Sequence, residues 1–341
     1  MRYQFTFSRL HLRVLLASAA IATQMTLSGC GGGAPVTSGR HMQPLSERML
    51  ATLKAKNMER DSPILMRVFK EEAELEVWKQ DDSGRFALLR TYPICRWSGE
   101  LGPKIKQGDR QAPEGFYTIT PGLMNPDSSQ YLAINTGFPN AYDRSNGRTG
   151  AFLMIHGGCS SSGCYAMTDE QIAEIYALAR ESFYGGQRSF QLQAYPFRMT
   201  PLNMARHRNS PHMAFWKMVK QGYDHFEVTR LEPKVDVCEK RYIFDADSAD
   251  RFSPAERCPA YNVRDDIAVA VGQKQRRDEI ETVELINRGI PAERSTTGID
   301  GGMNATFLAA ARSQRDRGAV IRTAPGTIPA YVKLPEGDGE D

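Results

Sequence analysis

The sequence predicts a mostly β domain with flanking helices, an α+β arrangement, and three observations point there. Short runs of strand-forming residues follow one another between Ile64 and Tyr92, separated by turn signals. After Thr168 the apolar period changes from two to about 3.6, which marks the passage from strand to helix. A further run, Phe190–Tyr195, returns to period two with Phe190, Leu192 and Ala194 alternating. At 341 residues, with 41% hydrophobic and 24% charged residues, the chain can bury a full core as one large domain or two modest ones.

Taken in order, Leu45, Met49, Leu50 and Leu53 recur at helical spacing and predict a short amphipathic helix. Residues 64–69 and 74–79 read as strands, and Asp81-Asp82-Ser83-Gly84 is a turn before a third strand from Phe86 to Tyr92. Together they make an antiparallel meander. Residues 116–120 and 131–135 add two strand candidates, and the apolar run Ala151–Ile155 ends at His156. Thr168 and Gln171 form a capping box, with Asp169 and Glu170 placed to favour the helix dipole. Ile172, Ile175, Tyr176, Ala179 and Phe183 give that helix one apolar stripe, and Gly185-Gly186 stops it. A second helix is expected to start at Ser210-Pro211 and to carry Phe215, Trp216 and Val219. Beyond Leu231 the signals thin to a strand at Tyr242-Ile243-Phe244, a helix over Asp278–Asn287 and an acidic, glycine-rich end from Pro335.

The N-terminus reads as a targeting segment. Arg2, Arg9 and Arg13 precede an apolar stretch, Val14 to Ala22, shorter than the roughly 20 residues a membrane-spanning helix needs. It suits a signal sequence. Leu27-Ser28-Gly29-Cys30 resembles the bacterial lipobox, so residues 1–29 are expected to be removed and Cys30 lipid-modified, with 30–45 as a flexible tether. An ordinary secretory signal with a chance cysteine is the alternative. Gly31 after the cysteine is compatible with the outer membrane, so the expected location is the periplasmic side of the envelope, held by a lipid anchor. Without the three arginines the 43 basic residues fall to 40, level with the 40 acidic ones, and no electrostatic reason remains to invoke nucleic acid.

Five cysteines remain beside Cys30, and an odd number in an oxidising compartment leaves at least one free thiol. Cys238 and Cys258 could close a short loop as a disulfide. The chemistry concentrates at Cys164, eight positions after His156 and reached through a glycine- and serine-rich loop. A thiolate is a strong acyl-transfer nucleophile that needs a neighbouring base, and histidine can take the thiol proton and return one to a leaving amine. Gly163 permits a sharp turn, and backbone N–H groups around Gly163 and Cys164 could meet a developing oxyanion. Other readings compete: His156, Cys159 and Cys164 as metal ligands lack a fourth partner, Cys159 and Cys164 could be joined as a disulfide, and Cys164 could simply be buried.

The segment Ile155-His156-Gly157-Gly158-Cys159-Ser160-Ser161-Ser162-Gly163-Cys164-Tyr165-Ala166-Met167-Thr168-Asp169 resembles the signature of YkuD-type L,D-transpeptidases, and more closely their YafK-like branch. A second block supports it, Tyr92 to Lys104 followed by Gly108 to Tyr117. The resemblance covers roughly residues 60–230. It implies a β-sandwich catalytic domain over 46–232, followed by a less defined extension over 233–341. It also implies Cys164 as nucleophile, His156 as proton donor and acceptor, and peptidoglycan stem peptides as substrate, attacked at an L–D junction. In the wider family a second histidine stands two positions before the cysteine; here that position is Ser162. Arg96, Lys104, Asp109 and Glu114 are candidates to contact a substrate carboxylate or amine, while Phe116 and Tyr117 are expected in the core and His207 and His212 at the surface. Resolution of the thioester by an amine gives a transpeptidase. Resolution by water gives a hydrolase that could detach a peptidoglycan-linked lipoprotein. A non-catalytic peptidoglycan-binding lipoprotein is the rival from another class. No cofactor and no metal are implied.

Overall fold

The computed structural model describes residues 39–293 and 301–316; the expected signal segment, Cys30 and the acidic end from Pro335 lie outside the described residues. The first helix, α1 (Glu47–Ala55), begins where the Ser46 hydroxyl accepts the Met49 N–H, and it buries Met49 and Leu53. The meander follows as β1 (Ile64–Phe69), β2 (Glu74–Gln80) and β3 (Phe86–Pro93), antiparallel throughout. Next come β4 (Arg96–Trp97), β5 (Gly115–Ile119), β6 (Met124–Asn125), β7 (Ala133–Asn135), α2 (Ala141–Ser145), β8 (Met154–His156) and β9 (Tyr165–Ala166).

The predicted helix is α3 (Asp169–Tyr184), and both halves of its capping box form. The Thr168 hydroxyl accepts from the Gln171 N–H at 3.2 Å, and Gln171 Oε1 accepts from the Thr168 N–H at 3.0 Å. Then come β10 (Phe190–Tyr195), α4 (Pro201–Arg206), α5 (Met213–Thr229), the hairpin β11 (Val235–Cys238) and β12 (Arg241–Phe244), the short pair β13 (Ala246–Asp247) and β14 (Asn262–Val263), α6 (Asp265–Asn287) and α7 (Ala305–Asp316).

Two five-stranded sheets organise the domain. One has the order β3-β2-β1-β10-β5, with β1 and β10 parallel. The other has the order β4-β9-β8-β7-β6, with β8 and β9 parallel. Ile64, Met66 and Val68 of the first sheet share one apolar cluster with Ile134, Ile155 and Tyr165 of the second and with Ile172, Ile175 and Leu178 of α3. That common burial is what holds sheets and helix together as the α+β fold. A second cluster gathers Phe69, Phe116, Tyr195 and Trp216 with Tyr242 and Phe244 of β12, so the hairpin after residue 232 packs on the same body. Gly222 of α5 makes room for it: a Cβ there would stand 2.4 Å from the rings of Phe116 and Phe244.

Several boundaries differ from expectation. The helix placed at Ser210-Pro211 starts at Met213, because the Ser210 hydroxyl accepts the His212 N–H in a local turn. The cap-then-proline start belongs instead to α4, where Thr200 accepts the Asn203 N–H. The helix expected over 278–287 begins at Asp265; only Val271 on it is buried, so no apolar stripe announces its first half. His207 is no surface residue: it is 8% exposed, stacked on Phe197 at 4.4 Å and joined to Glu71 at 3.0 Å. His212 is half-buried. Phe116 and Tyr117 lie in the core.

Candidate active site

His156 ends β8 and Cys164 immediately precedes β9. The parallel register sets Ile155 beside Tyr165 and His156 beside Ala166. Ile155 and Tyr165 point into the core and are fully buried. Side chains alternate along a strand, so His156, Met154 and Cys164 share the opposite face. Met154 is level with Cys164, and its N–H donates to the thiol sulfur at 3.4 Å, while the thiol faces the Phe152 carbonyl at 3.8 Å. His156 is therefore one diagonal step away, a separation of roughly 7–8 Å between backbones that ring-sized side chains can bridge.

The electrostatics leave both groups neutral at rest. His156 is buried, which lowers its pKa, and the Gly157 carbonyl 2.6 Å from Nδ1 works the other way. A carbonyl only accepts, so Nδ1 carries the proton and Nε2 keeps a lone pair for use as a base. Burial also raises the Cys164 thiol, partly offset by the Met154 N–H and the Lys104 charge. Cys164 is the free cysteine among the described residues.

The loop between them is anchored at Gly157, Gly158, Cys159 and Ser161. Gly158 N–H donates to Asp169 at the start of α3, 2.9 Å away. Cys159 is bonded to Cys95, not to Cys164, which removes the competing disulfide and deprives the metal reading of a ligand. The Ser161 hydroxyl accepts the Cys164 N–H at 3.0 Å, donates to the Cys164 carbonyl at 2.7 Å and accepts from Ser98 at 2.6 Å. Its hydrogen-bonding capacity is thereby filled. Ser162, at the place of the family's second histidine, is exposed. Gly163 has φ of 116°, a conformation that excludes a side chain. Because Ser161 occupies the Cys164 N–H, that group is not available as an oxyanion donor. Among the described residues the Gly163 N–H has no acceptor. Cys238 and Cys258 form the second disulfide.

The second block of the resemblance is a loop wrapped on a buried cation. Lys70, fully buried, donates to the carbonyls of Glu100, Gly102 and Ala112 and to Glu114 at 2.8 Å. Glu114 also accepts from the Gly102 N–H and from the indole of Trp216. It is thus an internal hub with no surface to offer a substrate, which corrects the expectation for that residue. Lys104 is 3% exposed and paired to Asp109. Burial would raise Asp109, yet Lys104 and the N–H groups of Lys106, Ile105 and Gln111 hold it below the usual carboxylate range. Arg96 lies half-buried on β4 beside Ala166 of β9. Of the four charged candidates, Lys104 is the one whose charge acts on the thiol.

Sequence reasoning passed over Ser161, Ser98, Lys70 and Phe152. Ser161 carried a signal, a hydroxyl three positions before the cysteine. Phe152 carried none: it is 76% exposed beside the nucleophile and holds φ of 58°, which turns its carbonyl onto the thiol.

Comparison with known proteins identifies the family. A family model described as the YkuD L,D-transpeptidase catalytic domain matches residues 67–185. The Escherichia coli K12 protein named Putative L,D-transpeptidase YafK is 49% identical over 182 residues, covering 53% of this chain and 74% of that protein. Among solved structures, a point mutant of the helical cell shape determining protein Pgp2 of Campylobacter jejuni aligns at 23% identity with a TM-score of 0.32, over 46% of this chain and 55% of Pgp2. Bdellovibrio bacteriovorus Bd1075 aligns at 13% identity and 0.31, over 61% and 96%. With 49% identity over 182 residues and 74% of that protein's length covered, the chain belongs to the YkuD-type L,D-transpeptidase family, in its YafK-like branch.

Proposed function

We propose that the protein is a cysteine-dependent acyltransferase of the bacterial envelope that acts on peptidoglycan stem peptides. One observation carries the reading: a free thiol and a buried, neutral imidazole stand one diagonal step apart on the same face of a sheet, joined by a loop anchored through the Cys95–Cys159 disulfide and Ser161. His156 Nε2 takes the Cys164 proton and the thiolate attacks the carbonyl carbon at an L–D junction, at diaminopimelate. The Gly163 N–H is the oxyanion donor. The tetrahedral intermediate collapses, the C–N bond breaks, and the leaving amine receives the proton from His156. A thioester on Cys164 remains. An incoming amine gives up a proton to His156 and attacks the thioester, forming a new amide and freeing the thiol. Lys104, buried and paired to Asp109, acts on the thiol through its charge, and Arg96 is a contact for a stem-peptide carboxylate. In this reading Cys30 bears the lipid that keeps the enzyme on the periplasmic side of the outer membrane.

The test is mass spectrometry of muropeptides incubated with the protein and with Cys164→Ala. Cross-linked or exchanged products that vanish in the variant support acyl transfer to an amine. Products bearing only a new carboxylate assign hydrolysis, including release of a wall-linked lipoprotein. Identical products from the Cys164→Ala protein would falsify the nucleophile.

A further inference from the structure

The edge of the active-site sheet is closed by residues far along the chain. On one side β4 pairs with β9, the strand that Cys164 enters. On its other side it pairs with residues 301–304 through an isolated antiparallel bridge between Trp97 and Gly302. Trp97 and Gly302 exchange N–H···O bonds at 3.0 and 3.1 Å, Gly301 N–H donates to Gly99 at 2.6 Å, and Asn304 N–H donates to Ile94 at 3.1 Å. The Asn304 amide adds bonds to the carbonyls of Glu72 and Ala73. The fit is close: a Cβ on Gly301 would lie 1.7 Å from the Trp97 carbonyl oxygen, and one on Gly302 would lie 2.5 Å from the Trp97 indole nitrogen. One turn into α7, Phe307 is fully buried against the Cys95–Cys159 disulfide, flanked by Met303 and Ala310.

Two routes run from this segment to the nucleophile. Bonds to Trp97 and Gly99 fix the backbone on both sides of Ser98, whose hydroxyl donates to Ser161, the residue that holds Cys164 by both its N–H and its carbonyl. Phe307 covers the disulfide that anchors the loop at Cys159. We propose that residues 301–310 are a positioning strap for the nucleophile loop, with Phe307 as a positioning residue that acts on Cys164 through the disulfide and the edge strand.

This rests on Cys164 being the nucleophile, so the experiment reads the thiol directly as well as turnover. In the full chain, Phe307→Ala and Phe307→Leu are compared with wild type for kcat and KM on muropeptide, for the rate of Cys164 alkylation by iodoacetamide, and for Tm. Misplacement of a reacting group by about 1 Å costs on the order of 100-fold. Phe307→Ala is expected to lower kcat roughly 10- to 100-fold with KM within about twofold, and to change the alkylation rate. Phe307→Leu is expected to restore most of both. A folded Phe307→Ala protein with kcat unchanged overturns the proposal, whatever its Tm. So does a fall in kcat with the alkylation rate unmoved. If Phe307→Ala does not fold, Met303→Ala, a smaller cut at the same contact, is read by the same criteria. Alkylation needs no substrate, so a failure of the peptidoglycan reading would leave this result standing.

Discussion

Removing each disulfide in turn, by Cys95→Ala with Cys159→Ala and by Cys238→Ala with Cys258→Ala, separates stability from positioning. Paired substitution leaves no stray thiol to exchange with Cys164. The first bridge spans 64 positions and the second 20. In the chain-entropy account those loops correspond to about 4 and about 3 kcal/mol of stabilisation. Each loss is below a typical stability of roughly 5–15 kcal/mol, so both variants stay folded with a reduced margin, and they differ by only about 1 kcal/mol. Urea unfolding measures the loss, and the slope is expected to rise because the denatured chain freed of a cross-link exposes more surface. Turnover is then measured without denaturant. The two variants are expected to lose comparable stability, while only the one lacking Cys95 and Cys159 loses turnover, by at least roughly tenfold, because only that bridge ties down the loop holding Cys164. Wild-type turnover from that variant would refute the reasoning. Equal loss of turnover from the variant lacking Cys238 and Cys258 would refute it too.

Two further perturbations follow from the charges. Lys104→Met removes a cation that favours the thiolate, so the pH midpoint for Cys164 alkylation should move upward and alkylation at a fixed mildly alkaline pH should slow; an unmoved or lowered midpoint would show that the Lys104 charge does not reach the sulfur. Glu114→Gln leaves the fully buried Lys70 without its counter-charge and should destabilise the fold by about 3–5 kcal/mol in urea unfolding. Adding Lys70→Met should recover part of that loss, and a cost under about 1 kcal/mol for the single change would discount the pair as a charged hub.

Local chemistry was readable from the sequence wherever a few neighbouring residues decide the outcome. Thr168 and Gln171 form their capping box, the turn at Asp81–Gly84 separates β2 from β3, and Phe116 and Tyr117 are core residues. What escaped depends on partners distant in the chain. The strands β4, β6 and β9 are two residues long and exist because neighbours supply their bonds, so no period marks them. Cys159 pairs with Cys95 across 64 positions rather than with nearby Cys164, since pairing follows the fold and not the spacing. Glu114 reads as a charged loop residue until Lys70, 44 positions earlier, is seen to neutralise it within the core. Within the site, His156 and Cys164 stood out by residue type. The Ser161 hydroxyl was visible three positions before the cysteine but its clamp on Cys164 was not, and Phe152 gave no sign, because a hydroxyl clamp and a left-handed backbone are properties of three-dimensional placement.

The bridge that residues 301–304 make to β4 has a consequence for when the molecule matures. Phe307 packs on a disulfide whose first cysteine is Cys95, and Asn304 bonds to Ala73 across 231 positions. Contacts of such long range form late in folding, and the N-terminal parts of a chain take shape first as it is made. The sheets and α3 can therefore assemble while the edge beside β4 still stands open. That edge closes only once residues 301–307 are in place against Trp97 and the Cys95–Cys159 disulfide. On the location and function proposed above, the nucleophile loop is thus set in place as one of the last acts of biogenesis, after export.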